Sequence, residues 1–167
     1  MKKNNMINLT KGFLYTVLAL FLVGTLINCG GSSGPAQVQA PKALIQDYIA
    51  KHEIMVDTSL VDIYAVDEQP KVAAAVKRTI NEKTATGELA RLQDATFDFT
   101  NLKIAVIGEK EDYMYDKPTR LIMVSVSGSY IMKQAENSIT IPADETIVLG
   151  MVDNKHWKVT ERIHPWS

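Results

Sequence analysis

The apolar residues of this chain change their spacing once, near residue 95, and that change sets the fold class. From Leu44 to Leu92 they recur at steps of three and four. A period of 3.6 gathers side chains on one stripe of an α-helix. From Phe97 onward they alternate, and a period of two belongs to strands with one covered face. Helices first and consecutive strands afterwards predict an α+β domain, with N-terminal helices packed on a curved antiparallel sheet.

Residues 42–56 read as a helix whose stripe is Leu44, Ile45, Tyr48, Ile49, His52, Met55 and Val56. Leu60, Ile63 and Tyr64 either extend that stripe or belong to a second short helix capped by Asp57-Thr58-Ser59. Pro70 suits a first helical turn. Val72, Ala73, Val76 and Ile80 then mark a helix over 71–84, supported by Ala73-Ala74-Ala75. Gly87 interrupts it, and Leu89 to Leu92 add another turn.

Phe97, Phe99, Leu102, Ile104, Val106 and Ile107 predict a strand region bent near Asn101. Gly108 to Pro118 reads as a charged turn. In the next strand Ile122, Val124, Val126, Tyr130 and Met132 share one face, and Ser125, Ser127 and Ser129 the other, with a bulge at Gly128. Ile139-Thr140-Ile141 reads as a short edge segment ended by Pro142. Thr146 to Val152 is a further strand, Asp153-Asn154-Lys155 a tight turn, and Trp157, Val159 and Glu161 mark the last strand.

The N-terminus carries a different signal. Lys2, Lys3 and Lys11 precede 16 nearly unbroken apolar residues, Gly12 to Ile27. A basic start and a short apolar run form an export signal. The run is shorter than the roughly 20 residues of a comfortable bilayer span. Directly after it stands Leu26-Ile27-Asn28-Cys29-Gly30-Gly31-Ser32. This resembles the lipobox of bacterial lipoproteins, in which a peptidase cuts before the cysteine and a lipid is attached to its sulfur. Asn28, where the strict motif has Gly, Ala or Ser, resembles the relaxed lipoboxes of spirochaetes. The resemblance implies a cleaved signal over 1–28 and lipidation at Cys29. Gly30, in place of an Asp retention signal, implies the outer rather than the inner membrane. Residues 30–41, rich in Gly and Ser with two prolines, read as a flexible tether of about 20 Å, and 42–167 as a single domain.

Composition narrows the function. Without Lys2, Lys3 and Lys11, the 18 basic and 19 acidic residues leave a net charge of −4 instead of −1. No basic block remains for nucleic acid or anionic lipid head groups. Cys29 is the one cysteine, so the domain holds no internal disulfide and no second thiol. His156 and His164, eight positions apart on a strand, would stand about 25 Å apart and cannot share a metal. With no HExxH pattern and no Cys cluster, the sequence predicts no metal and no cofactor.

Helices followed by an antiparallel meander that closes on Val148 to Ile163 resemble the cone-shaped NTF2-like (SnoaL-like) family, with cystatin-like folds close in layout. The resemblance spans about residues 42–164 and rests on a Trp157-Lys158-Val159 strand after a turn. It implies a pocket, and its isomerase-type members imply a pocket Asp with Tyr or His partners. The candidates here are Asp62, Tyr64, Asp98 and Tyr130. Asp98 lies between Phe97 and Phe99, so alternation turns it from their face. His52 falls on the first helix's apolar stripe, where a histidine is more often a boundary or hydrogen-bonded core residue than a ligand. The three serines have no nucleophile elbow around them. Tyr113 and Tyr115, beside Glu109, Lys110, Glu111 and Asp112, are candidates for partner contact, since Tyr gives interface area at low entropy cost.

These readings converge on a lipid-anchored envelope protein, held to the membrane by its N-terminal lipid. Its domain is expected to be non-catalytic and to bind an envelope protein or a small apolar ligand. The alternatives are an NTF2-like isomerase or dehydratase with a buried carboxylate, and a structural envelope lipoprotein with no pocket.

Overall fold

The computed structural model describes residues 39–114 and 117–161. The export signal, Cys29, most of the tether, Tyr115 and His164 lie outside the described residues. Helix α1 runs Lys42–Ile54 and buries Ile45, Tyr48 and Ile49. Met55 ends it in the left-handed region at φ 52, its N–H bonded to the Lys51 carbonyl. Asp57 Oδ1 then accepts from the Ser59 backbone N–H at 2.8 Å and from its hydroxyl at 2.7 Å. This turn starts α2, Leu60–Ile63. Of the two readings of this segment, the separate short helix holds. Helix α3, Gln69–Ala85, carries Pro70 in its first turn and buries Val72 and Val76. Gly87, at φ 73, breaks the chain before α4, Leu89–Gln93.

Five strands follow: β1 Thr96–Asp98, β2 Leu102–Met114, β3 Lys117–Gln134, β4 Asn137–Val152 and β5 His156–Val159. All their pairings are antiparallel. The fold is α+β, with the helices packed on one face of this sheet. β1 and β2 share one edge of β3, opposite Ile131–Lys133 and Lys117–Gly128 respectively. Between them Asp98 Oδ1 takes the N–H of Thr100 at 3.0 Å and its hydroxyl at 2.7 Å, turning the chain. The Asn101 carbonyl then presses on Gly128, whose φ is 98. A Cβ at Gly128 would collide with that oxygen, so glycine is required on two counts. The bend near Asn101 and the irregularity at Gly128 are one feature.

Two expectations need correction. Gly108 to Pro118 is not a charged turn: β2 continues to Met114 and pairs residue by residue with β3. A register shift at Ile107 reverses the facing of the residues beyond it. Arg120 of β3 then pairs across the ladder with Glu109 of β2, and Lys110 pairs along β2 with Asp112. Nor does Pro142 end a segment, because β4 is continuous from Asn137 to Val152. Pro142 stands opposite Ser129, whose own N–H is directed away from β4, to the Asn101 carbonyl. At such a pair the proline nitrogen faces the outer edge of β4, where β5 does not reach and no ladder bond is lost.

Register orders the covered face in rows. Val106, Val124 and Ile147 form one, and Ile122, Leu149 and Val159 another. Both rows pack in one core with Ile45, Ile49, Leu60, Val72 and Val76 of the helices. Ser125, Ser127 and Ser129 stand on the opposite face, as alternation predicts. The β4–β5 turn has Asp153 at φ 53 and Asn154 at φ 54, with Lys155 N–H to the Val152 carbonyl at 3.1 Å. Positive φ at both central residues matches the right-handed strand twist. The outer side of β5 is engaged by the α2–α3 connection: Ala65 N–H reaches the Val159 carbonyl at 2.9 Å. There the buried Glu68 carboxylate accepts from the Thr160 hydroxyl at 3.0 Å and the Glu161 N–H at 2.9 Å.

Candidate functional site

Tyr48, Ile49, His52 and Glu53 fall on one side of α1, since positions four apart lie one above the other on a helix. Facing them are Tyr130 of β3 and Ile141, Ala143 and Glu145 of β4. Pro142 and Asp144 complete the lining of a cleft of about 280 Å³. Register explains the sheet side. Tyr130 pairs with Ile141, Gly128 with Ala143, and Val126 with Glu145. Glu145 therefore sits in a row with Ile104 and Val126, on the face the helices cover.

Tyr130 is buried, and its hydroxyl donates to Glu53 Oε2 at 2.7 Å. Burial, then the bond to Glu53, raise the phenol pKa well above its ordinary value. The Tyr130 ring lies 5.7 Å from Phe99 and 6.2 Å from Phe97, and those two stack on each other. The Tyr48 ring packs at a tilt against His52 at 5.2 Å and meets Tyr64 edge-on at 5.8 Å. Tyr64 stands behind the cleft. Its hydroxyl donates weakly to Tyr48 at 3.5 Å and to Glu161 at 3.4 Å. Burial first, then its neighbour Tyr48, raise its pKa. Burial also raises Tyr48, against the bond from Tyr64.

Glu145 is exposed at the mouth of the cleft. Desolvation nonetheless raises its pKa, His52 opposes that shift, and Glu53 adds to it. The cleft thus joins an apolar floor, two tyrosines and two carboxylates, Glu53 and Glu145, from two layers. It can hold a small ligand between helix and sheet. The ionisable side chains on its walls are His52, Glu53 and Glu145. Among the described residues no cluster of His, Cys, Asp or Glu could hold a metal ion.

The sequence candidates separate. Tyr130 lines the cleft and Tyr64 supports it from behind. Asp62 does not face it: the side chain is exposed, and the backbone carbonyl accepts from Lys158. Asp98 does not face it either, because its carboxylate caps the turn at Thr100, which holds its pKa below the usual carboxylate range. Tyr113 is 73% exposed near the end of β2. His52, read as a boundary residue, is on the cleft wall. Glu53 and Glu145 were missed. The parity of Glu145 with Ile141 and Ile147 would have placed it on the covered face had β4 been read as one strand.

A second cleft, about 380 Å³, lies between Lys117–Thr119 and the β4–β5 turn. Thr119 is the one buried polar residue of its lining, and that hydroxyl is turned back to the Lys117 carbonyl. The α1–β4 cleft is smaller, but aromatic, apolar and ionisable groups converge there. Compared with known proteins, the chain matches no family model, no curated protein and no solved structure.

Proposed function

We propose that this chain is a lipid-anchored envelope protein whose domain holds a small ligand in the cleft between α1 and β4, without catalysing its conversion. The observation that carries the binding role is the convergence of Tyr48, Ile49, Glu53, Tyr130, Ile141 and Glu145 on one cleft. Its open form, with His52, Glu53 and Glu145 exposed to solvent, suits reversible holding better than chemistry that excludes water. The anchoring role rests on Cys29 in its lipobox-like setting. Among the described residues no helix is long and apolar enough to cross a membrane. Among the described residues, the order of four helices before a meander supports an NTF2-like or cystatin-like layout.

The anchor is tested by the intact mass of protein recovered from the membrane fraction of a lipoprotein-processing host. A species beginning at Cys29 and heavier by lipid supports the proposal. A full-length mass, or a lipid-free product cut elsewhere, sinks it.

One observation favours a second reading. Glu145 combines a raised pKa with a place on the covered face beside two tyrosines, as a general base for a proton-transfer isomerase would. Hydrogen–deuterium exchange of a ligand's acidic C–H, fast with the native chain and slow with Glu145→Gln, would support catalysis. Equal rates would leave holding as the function.

A further inference from the structure

The occupant of the α1–β4 cleft can be narrowed by its charge and by the surface beside it. Two carboxylates face it, Glu53 from the helix and Glu145 from the sheet, while Asp144, opposite Ser127, turns its side chain to the other face. Against them stands one imidazole, His52, and among the described residues no Lys or Arg lines the cleft. Lys51, next in the chain, is turned to Asp47 at 2.8 Å. Glu53 Oε2 accepts from the Tyr130 hydroxyl.

A second observation is independent of these charges. The apolar floor does not stop at the cleft. Ile141 shares its row with Tyr130, and the next row is Phe97, Met132 and Ile139. Ile139 is 50% exposed, although its side chain lies on the face that the helices cover elsewhere. An apolar ledge with aromatic side chains therefore leads out from a negatively charged cleft.

We propose that the cleft takes a small organic amine with an apolar body. The protonated nitrogen sits between Glu53 and Glu145, near the face of Tyr48, and the apolar part lies along Ile141 toward Ile139. This inference rests on the cleft being a ligand site, as read above. A cation among carboxylates gains charge-assisted hydrogen bonds and the attraction of an aromatic face. A carboxylate ligand would meet repulsion from both walls.

The test uses the full chain in detergent and three probes of one shape: 2-phenylethylamine, 2-phenylethanol and 3-phenylpropanoate. Calorimetry gives affinities, and the methyl resonances of Ile49 and Ile141 report on the cleft. The amine is expected to bind at least about tenfold tighter than the alcohol, the usual worth of a hydrogen bond to a charged group. The propanoate should not bind, and Glu145→Gln should remove most of the amine's advantage while leaving the alcohol unchanged. If the alcohol or the propanoate shifts those methyls and binds as well as the amine, the amine inference fails and the cleft reading stands. A Glu145→Gln variant that keeps the amine's full advantage overturns the inference as well. If no probe shifts Ile49 or Ile141, both fall. The three-probe comparison needs no variant, so its outcome is independent of how Glu145→Gln folds.

Discussion

Tyr130 donates its hydroxyl to Glu53 across 77 positions of the chain, at 2.7 Å. The bond joins the last turn of α1 to the middle of the sheet. It also fixes one wall of the cleft, because the glutamate sets where its charge stands. Glu53 is exposed, so this bond is worth less than one made in a dry interior.

Tyr130→Phe keeps the ring and its contacts with Phe97 and Phe99 and removes the bond alone. The expected cost is about 1 kcal/mol, read as a lower melting temperature by about 4 °C. An unchanged melting curve would mean that water serves Glu53 equally well.

Glu68 ties a helix start to the end of the sheet. Its carboxylate holds Thr160 and the Glu161 backbone, both far along the chain. Glu68→Ala leaves two donors without that acceptor and should cost about 2–3 kcal/mol. Glu68→Gln retains a carbonyl acceptor and should lose less. Urea midpoints of the two variants check the order, and equal losses would show that volume rather than bonding matters.

Two glycines separate backbone strain from collision. Gly87, at φ 73, has open space where a Cβ would stand. Gly128, at φ 98, has the Asn101 carbonyl there. Gly87→Ala should cost about 1 kcal/mol from its left-handed φ alone. Gly128→Ala adds the clash and should cost about 3 kcal/mol or more. Ala135 gives the reverse case, since it adopts φ 50 without being glycine. Ala135→Gly should stabilise by about 0.5–1 kcal/mol. Unfolding of the three variants under one set of conditions gives the ranking, and a Gly128→Ala no worse than Gly87→Ala would refute the collision.

These positions also explain what could be read from the chain alone. The helices and the covered face of β3 were legible because apolar spacing reports directly on burial, as at Val72 with Val76 and Val124 with Val126. The outer ladder of β2 and β3 was not. Its stability comes from cross-strand backbone bonds and pairs such as Arg120 with Glu109, and local charge looks the same in a turn. Pro142 misled for a related reason: a proline breaks a strand only where its N–H is needed. That error hid Glu145, since splitting β4 lost the parity that places it on the covered face. Glu53 was hidden differently. A glutamate near a helix end reads as a solvated residue, and only the fold brings Tyr130 to it.

Glu145 makes the pH dependence of stability specific. Its folded pKa is raised above the ordinary glutamate value, by burial first and with Glu53 adding to it. A group raised in the folded state binds its proton more tightly there than in the unfolded chain. Its stabilising contribution is full below the unfolded value and fades as pH rises through the folded one. At neutral pH the charged form is a net burden, lessened by the water that reaches Glu145. Glu145→Gln should therefore melt higher than the native chain at pH 7. The gap should close as pH falls below about 4.3, where Glu145 is protonated in both states. Melting both proteins from about pH 3.5, below the ordinary glutamate value, to 7.5 checks this directly. A gap that stays constant over that range would mean that packing, not charge, separates the two, and Glu145 would lose its standing as the ionisable centre of the cleft.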